Sequence, residues 1–211
     1  MNVLHVTPYF APAWACGPVP RAVAELARAQ VAAGHQVCVL TTDATAPHER
    51  LPSGEARVED VRIFRVRNVS SVARMWLNLS TPVGMRARAH ALFQSEQFDI
   101  VHLHELRTVE NLLVVAEASP AVPLVLSPHG TLNRRTGRSW ARRAWDASVG
   151  DRLLARVGQL IACSDTEAEE IAALYGERGI ALGPDAIAVV RSGADVSAIY
   201  SHVLSSNFVS V

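Results

Sequence analysis

The sequence predicts an α/β protein with a Rossmann-like, doubly wound and mainly parallel sheet of about seven strands, covered by helices on both faces. Short runs rich in Val, Ile and Leu alternate with longer stretches of helical period, which is the pattern of strand–helix–strand units. The apolar runs are continuous rather than alternating, as expected of strands buried on both faces. With 211 residues and 49% hydrophobic content, the chain can bury one substantial core.

The predicted strands are short apolar runs bounded by polar or turn-forming residues. They are Asn2–Thr7, Gln36–Thr41, Val61–Val66, Asp99–His102, Leu124–Ser127, Gln159–Cys163 and Ile187–Val190. Residues 44–58 contain Pro, Ser, Gly and charged residues that interrupt any period, so this segment is predicted as a loop.

Helix signals separate the strands. Pro18 suits the first turn of the first helix, and Gly34 suits the position just past its end. A later helix is predicted to begin at Ser164, because Ser164 and Glu167 have the spacing of a capping box. Further helices are predicted at about 82–95, 106–118 and 138–156.

Charge and cysteine content limit the possible partners and the cellular compartment of the protein. The 20 basic and 20 acidic residues balance, so no overall field attracts nucleic acid, and none is expected as a partner. Three cysteines, far apart in sequence, fit a reducing compartment better than a disulfide framework. The sequence shows no secretory leader and no apolar run near the ~18 residues of a spanning helix. We therefore expect a cytoplasmic protein.

Candidate binding residues follow the predicted strands, because ligands of open parallel sheets bind where the carboxyl ends of the strands converge. His104 and Glu105 follow the fourth strand, His129 and Gly130 the fifth, and Ser164 the sixth. Gly130 allows a sharp turn that would leave the imidazole of His129 at the sheet edge. A neutral imidazole there can hydrogen-bond a sugar hydroxyl or carry a proton near neutral pH.

Gly17 and Pro18 open the first helix after a long loop. A helix N-terminus offers free N–H groups and a partial positive charge, and the absence of a side chain lets a phosphate approach. The alternative is that Gly17 only turns the chain. Neither GxGxxG nor GxxxxGK[ST] is present, which argues against a nicotinamide-dependent oxidoreductase half in which Asp43 would bind a ribose.

His102 and His104 alternate, so on an extended segment both side chains point the same way. Together with His129 they could form a zinc site, but the motif lacks a matched carboxylate or cysteine. We expect no metal there and interpret the pair as buried, hydrogen-bonded anchors of a loop.

The segment 134–156 is the one strongly basic region, with seven arginines and two tryptophans. It could form a helix on an anionic membrane surface, with its tryptophans at headgroup level. Alternatively, its tryptophans pack into the core beneath a solvated charged face. The arginines expected to contact a membrane or acceptor are Arg134, Arg135, Arg138, Arg142 and Arg143.

The order of these motifs resembles a known family. A glycine-led helix ending in GHQVCVLT is followed by DIVHLH, by SPHGTLN and by a strand that runs into SDTE. This order resembles the N-terminal half of the retaining glycosyltransferases of family 4, GT-B enzymes with two facing Rossmann-like domains. The resemblance implies that residues 1–195 are the acceptor-side domain and 196–211 a truncated interdomain linker or tail. The C-terminal donor-binding domain would then be absent.

The resemblance also implies an activity: transfer of a hexose from a nucleotide diphosphate sugar to a lipid-linked or polysaccharide acceptor, with retention and without a metal or other cofactor. Gly17 and Pro18 would abut the donor diphosphate, and His129 would be the catalytic residue near the reacting carbon. The residues expected to line the acceptor and sugar are His104, Glu105, Gly130 and Ser164. A polyprenyl-linked acceptor would place the protein on the inner face of the plasma membrane.

A second hypothesis is a truncated, non-catalytic binding module that keeps the acceptor pocket. In most relatives, the last strand of the first domain ends in the sequence I-P-N-G-V-D, whereas this chain has Arg191 and Ser192 in place of the proline and asparagine.

Overall fold

The structure of the chain is a computed structural model that describes residues 1–46, 49–70, 80–132 and 145–191. The strands are β1 (Asn2–Val6), β2 (Gln36–Thr42), β3 (Gly54–Val58), β4 (Val61–Asn68), β5 (Pro82–Val83), β6 (Ile100–His104), β7 (Leu124–Ser127), β8 (Gln159–Ala162) and β9 (Ile187–Val189). The helices are α1 (Val19–Ala32), α2 (Met85–Ser95), α3 (Val109–Val115), α4 (Asp151–Arg156) and α5 (Asp165–Arg178). A 3-10 turn at Trp14–Cys16 precedes α1, and a π-helical turn at Asp146–Gly150 precedes α4.

The strands form one sheet in the order β3-β4-β2-β1-β6-β7-β8-β9, and β5 pairs with β4 at its side. All seven predicted strands are present, and they pair in parallel with one another. Burial is nearly continuous in the central strands, as in β2, where only Gln36 is exposed, whereas β9 at the sheet edge has no buried residue. The prediction of a mainly parallel α/β fold is therefore confirmed.

The prediction of a loop over 44–58 is wrong for its last five residues, which form β3. This strand forms a hairpin with β4, and the turn residues Glu59 and Asp60 have φ of 50° and 63°, as in the primed turns that suit hairpins. β3 has no buried residue, and its sequence GEARV contains no continuous apolar run that would have predicted a strand. The two-residue strand β5 was also not predicted; it lies at the start of the segment 82–95, which was expected to be helical.

Two apolar clusters cover the two faces of the sheet. Cys38 and Leu40 of β2 belong to the larger cluster, whereas Val37 and Val39 belong to the smaller one, because successive side chains point to opposite faces. Helix α1 supplies the smaller cluster, and α2 to α5 supply the larger one. Helices therefore lie on both faces, as predicted.

The helix ends agree with their sequence signals. Gly34 has φ of 83° just past α1, and the side chain of Ser164 caps α5 by accepting a hydrogen bond from the Glu167 N–H. The helix predicted at 106–118 is shorter, spanning Val109–Val115, and 138–144 of the helix predicted at 138–156 lies outside the described residues. In the part of the chain that the structure describes, no helix has the length and apolarity to cross a bilayer.

Candidate functional site

Four polar side chains form a hydrogen-bonded row that runs from α1 to the carboxyl edge of the sheet. His5 Nε2 lies 2.6 Å from Gln30 Oε1, and His5 Nδ1 lies 2.9 Å from His104 Nε2. His104 Nδ1 lies 2.9 Å from His129 Nε2. We call Gln30, His5, His104 and His129 the imidazole chain. It connects one face of a helix to the turn that follows β7.

Strand register explains how the imidazole chain forms. β1 and β6 pair in parallel with His5 opposite His102, and side chains two residues apart share a face. His5, His102 and His104 therefore lie on one face, where the rings of His102 and His104 stack with centroids 4.2 Å apart. Their common direction, predicted from the alternation in HLH, is confirmed. His5 was missed, because nothing local in the sequence indicates which strand lies beside β6.

The turn after β7 holds His129 in an unusual backbone conformation. His129 has φ of 53° and Gly130 has φ of 75°, a region that non-glycine residues rarely adopt. The Gly130 N–H donates to Glu167 Oε1 at 2.6 Å, and the other oxygen of Glu167 accepts the Cys163 N–H at 2.7 Å. One carboxylate thus joins the His129 turn to the end of β8. The sequence predicts only a capping role for Glu167.

Ser164 and Glu105 lie at the same edge with other contacts. The hydroxyl of Ser164 accepts the Glu167 N–H at 3.1 Å, which is its capping bond. Glu105 has φ of 61°, and its N–H donates to the carbonyl of Ser127 at 2.9 Å. Its own carbonyl accepts from the Asn111 side chain at 2.7 Å. These two hydrogen bonds fix the backbone of Glu105, and the residue is half-buried.

A buried ion pair ties the loops of the site to the segment before α4. Arg107 donates to both carboxylate oxygens of Asp146 at 2.9 and 2.8 Å, and it also donates to the Thr131 carbonyl at 3.1 Å. The two side chains are only 8% and 5% exposed. A bidentate arginine–carboxylate pair fixes orientation as well as distance. The loops after β6 and β7 are therefore held against a third element.

Burial keeps the histidines of this face neutral. It lowers the pKa of His5 to about 4, and it holds the pKa of His102 and of His104 well below the usual value, with the other histidines adding to the effect. Burial also lowers the pKa of His129, against the opposing charge of Glu167. Each ring then carries one N–H and one lone pair near neutral pH.

The described residues contain one group with metal-ligand geometry. Ring nitrogens of His5, His102 and His104 lie within 4.8 Å of one another, and neutral buried imidazoles are suitable ligands for zinc. Five of the six nitrogens, however, already have hydrogen-bond partners, including Ser127 Oγ at 2.8 Å from His102 Nε2. A metal would have to break the bond between His5 and His104, so these residues fit hydrogen-bonding roles better.

The N-terminus of α1 differs from those of α3 and α5. Pro18 is its N-cap residue, no side chain caps it, and its first turn holds no acidic residue. Gly17 has φ of 109°, and a methyl group added there would meet nothing within 4 Å. A glycine is therefore required by the backbone, and the space beside it is open. Its loop follows β1 and contacts the loop after β2, where the Cys16 thiol donates to the Thr45 carbonyl at 3.0 Å.

Comparison with known proteins identifies the family. The profile of Glycosyltransferase Family 4 matches residues 19–198, which is most of the chain. The chain belongs to Glycosyltransferase Family 4. A search of the curated proteins returned no match.

Solved structures share the fold of this family 4 domain. Sucrose-phosphate synthase from Thermosynechococcus elongatus is 14% identical over 93% of this chain and 49% of its own, with a TM-score of 0.60. The E. coli trehalose-6-phosphate structure, bound with UDP-2-fluoro glucose, is 13% identical over 95% of this chain and 51% of its own, with a TM-score of 0.59. The family 4 chain thus spans about half the length of each, and its sheet is like one GT-B domain.

Several predicted features of the family 4 domain lie outside the described residues. They are Arg134, Arg135, Arg138, Arg142 and Arg143, together with the tail 196–211. Trp145 is described, and its buried indole Nε1 favours the alternative in which this tryptophan packs inward.

Asp43, the ribose ligand of the oxidoreductase alternative, is 4% exposed. Its oxygens accept hydrogen bonds from the Asn68 N–H at 2.9 Å and from the Ser53 hydroxyl at 3.3 Å. These contacts make it an anchor of the loop after β2.

Proposed function

We propose that residues 1–195 are the N-terminal, acceptor-side domain of a retaining glycosyltransferase. The enzyme would transfer a hexose from a nucleotide diphosphate sugar to a hydroxyl of a lipid-linked or saccharide acceptor. One observation carries this proposal: His129 and the uncapped N-terminus of α1 both follow the carboxyl ends of strands in the centre of one parallel sheet. That edge is where ligands of such sheets bind.

The N-terminus of α1 supports a diphosphate at Gly17 and Pro18. The free N–H groups of a first helical turn attract an anion, and α1 has neither a side-chain cap nor an acidic residue to compete for them. The open space beside Gly17 leaves room for a phosphate oxygen. The nucleotide sugar in the E. coli structure of similar fold is consistent with this class of donor.

His129 supports recognition of the transferred sugar or of the acceptor hydroxyl. It is half-buried at the sheet edge, whereas His104 is fully buried behind it with both ring nitrogens engaged. We therefore assign substrate contact to His129 and a supporting role to His104. Glu105, Gly130 and Ser164 would form the rim of the acceptor side around it.

The reaction would proceed without a nucleophile from the protein, with departure of the diphosphate and attack of the hydroxyl on the same face of the sugar. The domain described here would contribute the α1 N-terminus and His129. Neutralisation of the remaining charge on the leaving diphosphate would come from a C-terminal domain across the cleft. Because electrostatic stabilisation of developing charge is the largest contribution in such reactions, we expect little turnover from this chain alone.

The test is hexose transfer from a panel of nucleotide diphosphate sugars, measured with this domain joined to a family 4 donor-binding domain. Loss of the hydrogen bond between His129 and the substrate, worth about 1.4 kcal/mol, should make His129→Ala roughly ten times slower. His90→Ala is the matched control, since His90 is exposed on α2. An unchanged rate for His129→Ala would place the reaction centre elsewhere. Saccharide binding without transfer from any donor would favour the binding-module alternative.

A further inference from the structure

The imidazole chain has a direction, because each neutral ring has only one N–H to donate. The carboxamide of Gln30 is oriented with Oε1 toward His5, and an amide oxygen only accepts, so in this orientation His5 donates to it from Nε2. His5 Nδ1 is then a lone pair and accepts from His104 Nε2–H, whose Nδ1 in turn accepts from His129 Nε2–H. The amide oxygen at one end therefore determines where the proton lies on the ring at the other end.

Packing holds each member of the imidazole chain in place. Gln30 lies on the stripe of α1 that carries Ala27 and Val23, three and seven residues earlier, and this stripe packs on the sheet. His5 and His104 are both 0% exposed, so water does not compete for their nitrogens. The ring of His104 also stacks on His102, which is itself bonded to Ser127. The rings cannot rotate to exchange partners without breaking these contacts.

The imidazole chain is suited to fixing a tautomer and not to conducting protons. A proton passed inward from His129 would have to leave at Gln30, and a carboxamide is not a base at neutral pH. Burial also disfavours the charged form of every ring along the way. A stationary arrangement of neutral rings is the stable state of such a row.

We propose that Gln30 acts as a positioning residue that fixes His129 as the Nε2–H tautomer, through His5 and His104, leaving Nδ1 of His129 as a hydrogen-bond acceptor. The described residues provide no hydrogen-bond partner for that nitrogen. This inference rests on the proposed function and specifies that Nδ1 of His129 accepts a hydrogen bond from a substrate hydroxyl. His129 would discriminate against a substrate that presents only a carbonyl or ether oxygen there.

The test is a direct determination of histidine tautomers by NMR in the 22.8 kDa chain, without substrate. Long-range correlation of ring protons to nitrogen-15 distinguishes a protonated from an unprotonated nitrogen in each ring, and His129→Gln assigns the signals of His129. The expected result near neutral pH is Nε2–H on His5, His104 and His129. A proton on Nδ1 of His129 in the unmodified chain would overturn the proposal.

Variants of Gln30 then test whether this residue determines the tautomers of the three histidines. Gln30→Glu offers only acceptor atoms and should leave the three tautomers unchanged. Gln30→Lys offers only donors and should exchange the nitrogen-15 shifts of Nδ1 and Nε2 in all three rings. Gln30→Met, which offers neither, should leave His129 as a mixture of both tautomers and remains informative if the lysine variant does not fold. Gln94→Glu and Gln94→Lys, at an exposed position of α2, are the matched controls.

An unchanged His129 tautomer in both Gln30→Lys and Gln30→Met would refute the role of Gln30. These measurements need neither donor nor acceptor, so they do not depend on whether the protein transfers a hexose. In the transfer assay, Gln30→Lys should fall to the rate of His129→Ala, while Gln30→Glu keeps the parent rate. A reversed tautomer with an unchanged rate would show that Gln30 sets the proton position but that His129 does not accept a hydroxyl hydrogen.

Discussion

The two faces of β1 and β6 are equally buried but differ in chemistry. On one face lie Leu4 and Leu103, both 0% exposed and part of the larger apolar cluster. On the other face of the same two strands lie His5, His102 and His104, at 0%, 4% and 0% exposure. Burial of the apolar face stabilises the fold directly, whereas the histidine face is stable only while its rings stay neutral and hydrogen-bonded. The stability that the two faces contribute should therefore depend differently on pH.

Acidification should produce the largest difference in stability between the histidine face and the apolar face. The three buried histidines have a lowered pKa in the folded chain, so below about pH 6.5 the unfolded chain binds protons that the folded chain does not. Stability is thus complete above that pH and is lost as the pH falls, by about 1.4 kcal/mol per pH unit for each histidine, or roughly 4 kcal/mol per unit for three. Denaturant unfolding between pH 7 and pH 5 measures this slope.

A variant pair checks the origin of that slope. His5→Gln should reduce it by about one third, because one of three equivalent protons is removed. His90→Gln, at an exposed position, should change it far less. Equal slopes in the parent and in His5→Gln would show that the histidine face does not control acid stability.

The apolar face should respond to truncation and not to pH. Leu103 lies between His102 and His104 in sequence but on the opposite face, and Leu103→Ala removes a fully buried side chain, so it should lower the free energy of unfolding by about 2–5 kcal/mol. The loss should be the same at pH 7 and pH 6, since no titratable group changes. Val83→Ala, at a position that is 59% exposed, is the control and should stay within about 0.5 kcal/mol. A loss that grows on acidification would mean that the two faces are not independent.

The smallest expected effect on stability comes from removing one hydrogen-bond partner on the histidine face. Ser127→Ala would leave His102 Nε2 without its 2.8 Å contact in a buried position, at a cost of about 1–3 kcal/mol. Ser148→Ala removes a hydroxyl that is exposed and donates to the Trp145 carbonyl, and it should cost about 0.5 kcal/mol or less. Urea titration of both variants gives the comparison, and equal values would argue that the contact to His102 contributes nothing.

The sequence predicted those parts of the fold whose signal is local. Continuous apolar runs located the seven parallel strands, and the serine at the head of α5 located its cap. β3 was missed because its residues are exposed or half-exposed and Glu55 and Arg57 interrupt any apolar run. The predicted helix at 106–118 was too long at both ends, since α3 has a Thr108 cap and ends at Val115.

The candidate site could be predicted only where its residues follow strands directly. His104 and His129 were found because both come at strand ends. His5 and Gln30 were not found, because their contacts depend on which strands are neighbours. His5 and His104 are separated by 99 positions in the chain, and only the pairing of β1 with β6 brings them together.

Glu167 accepts the Gly130 N–H with one oxygen and the Cys163 N–H with the other. Because the same residue sits in the first turn of α5, the backbone beside His129 cannot shift independently of that helix. A displacement of α5 would therefore either break the Gly130–Glu167 hydrogen bond or move the turn that carries His129.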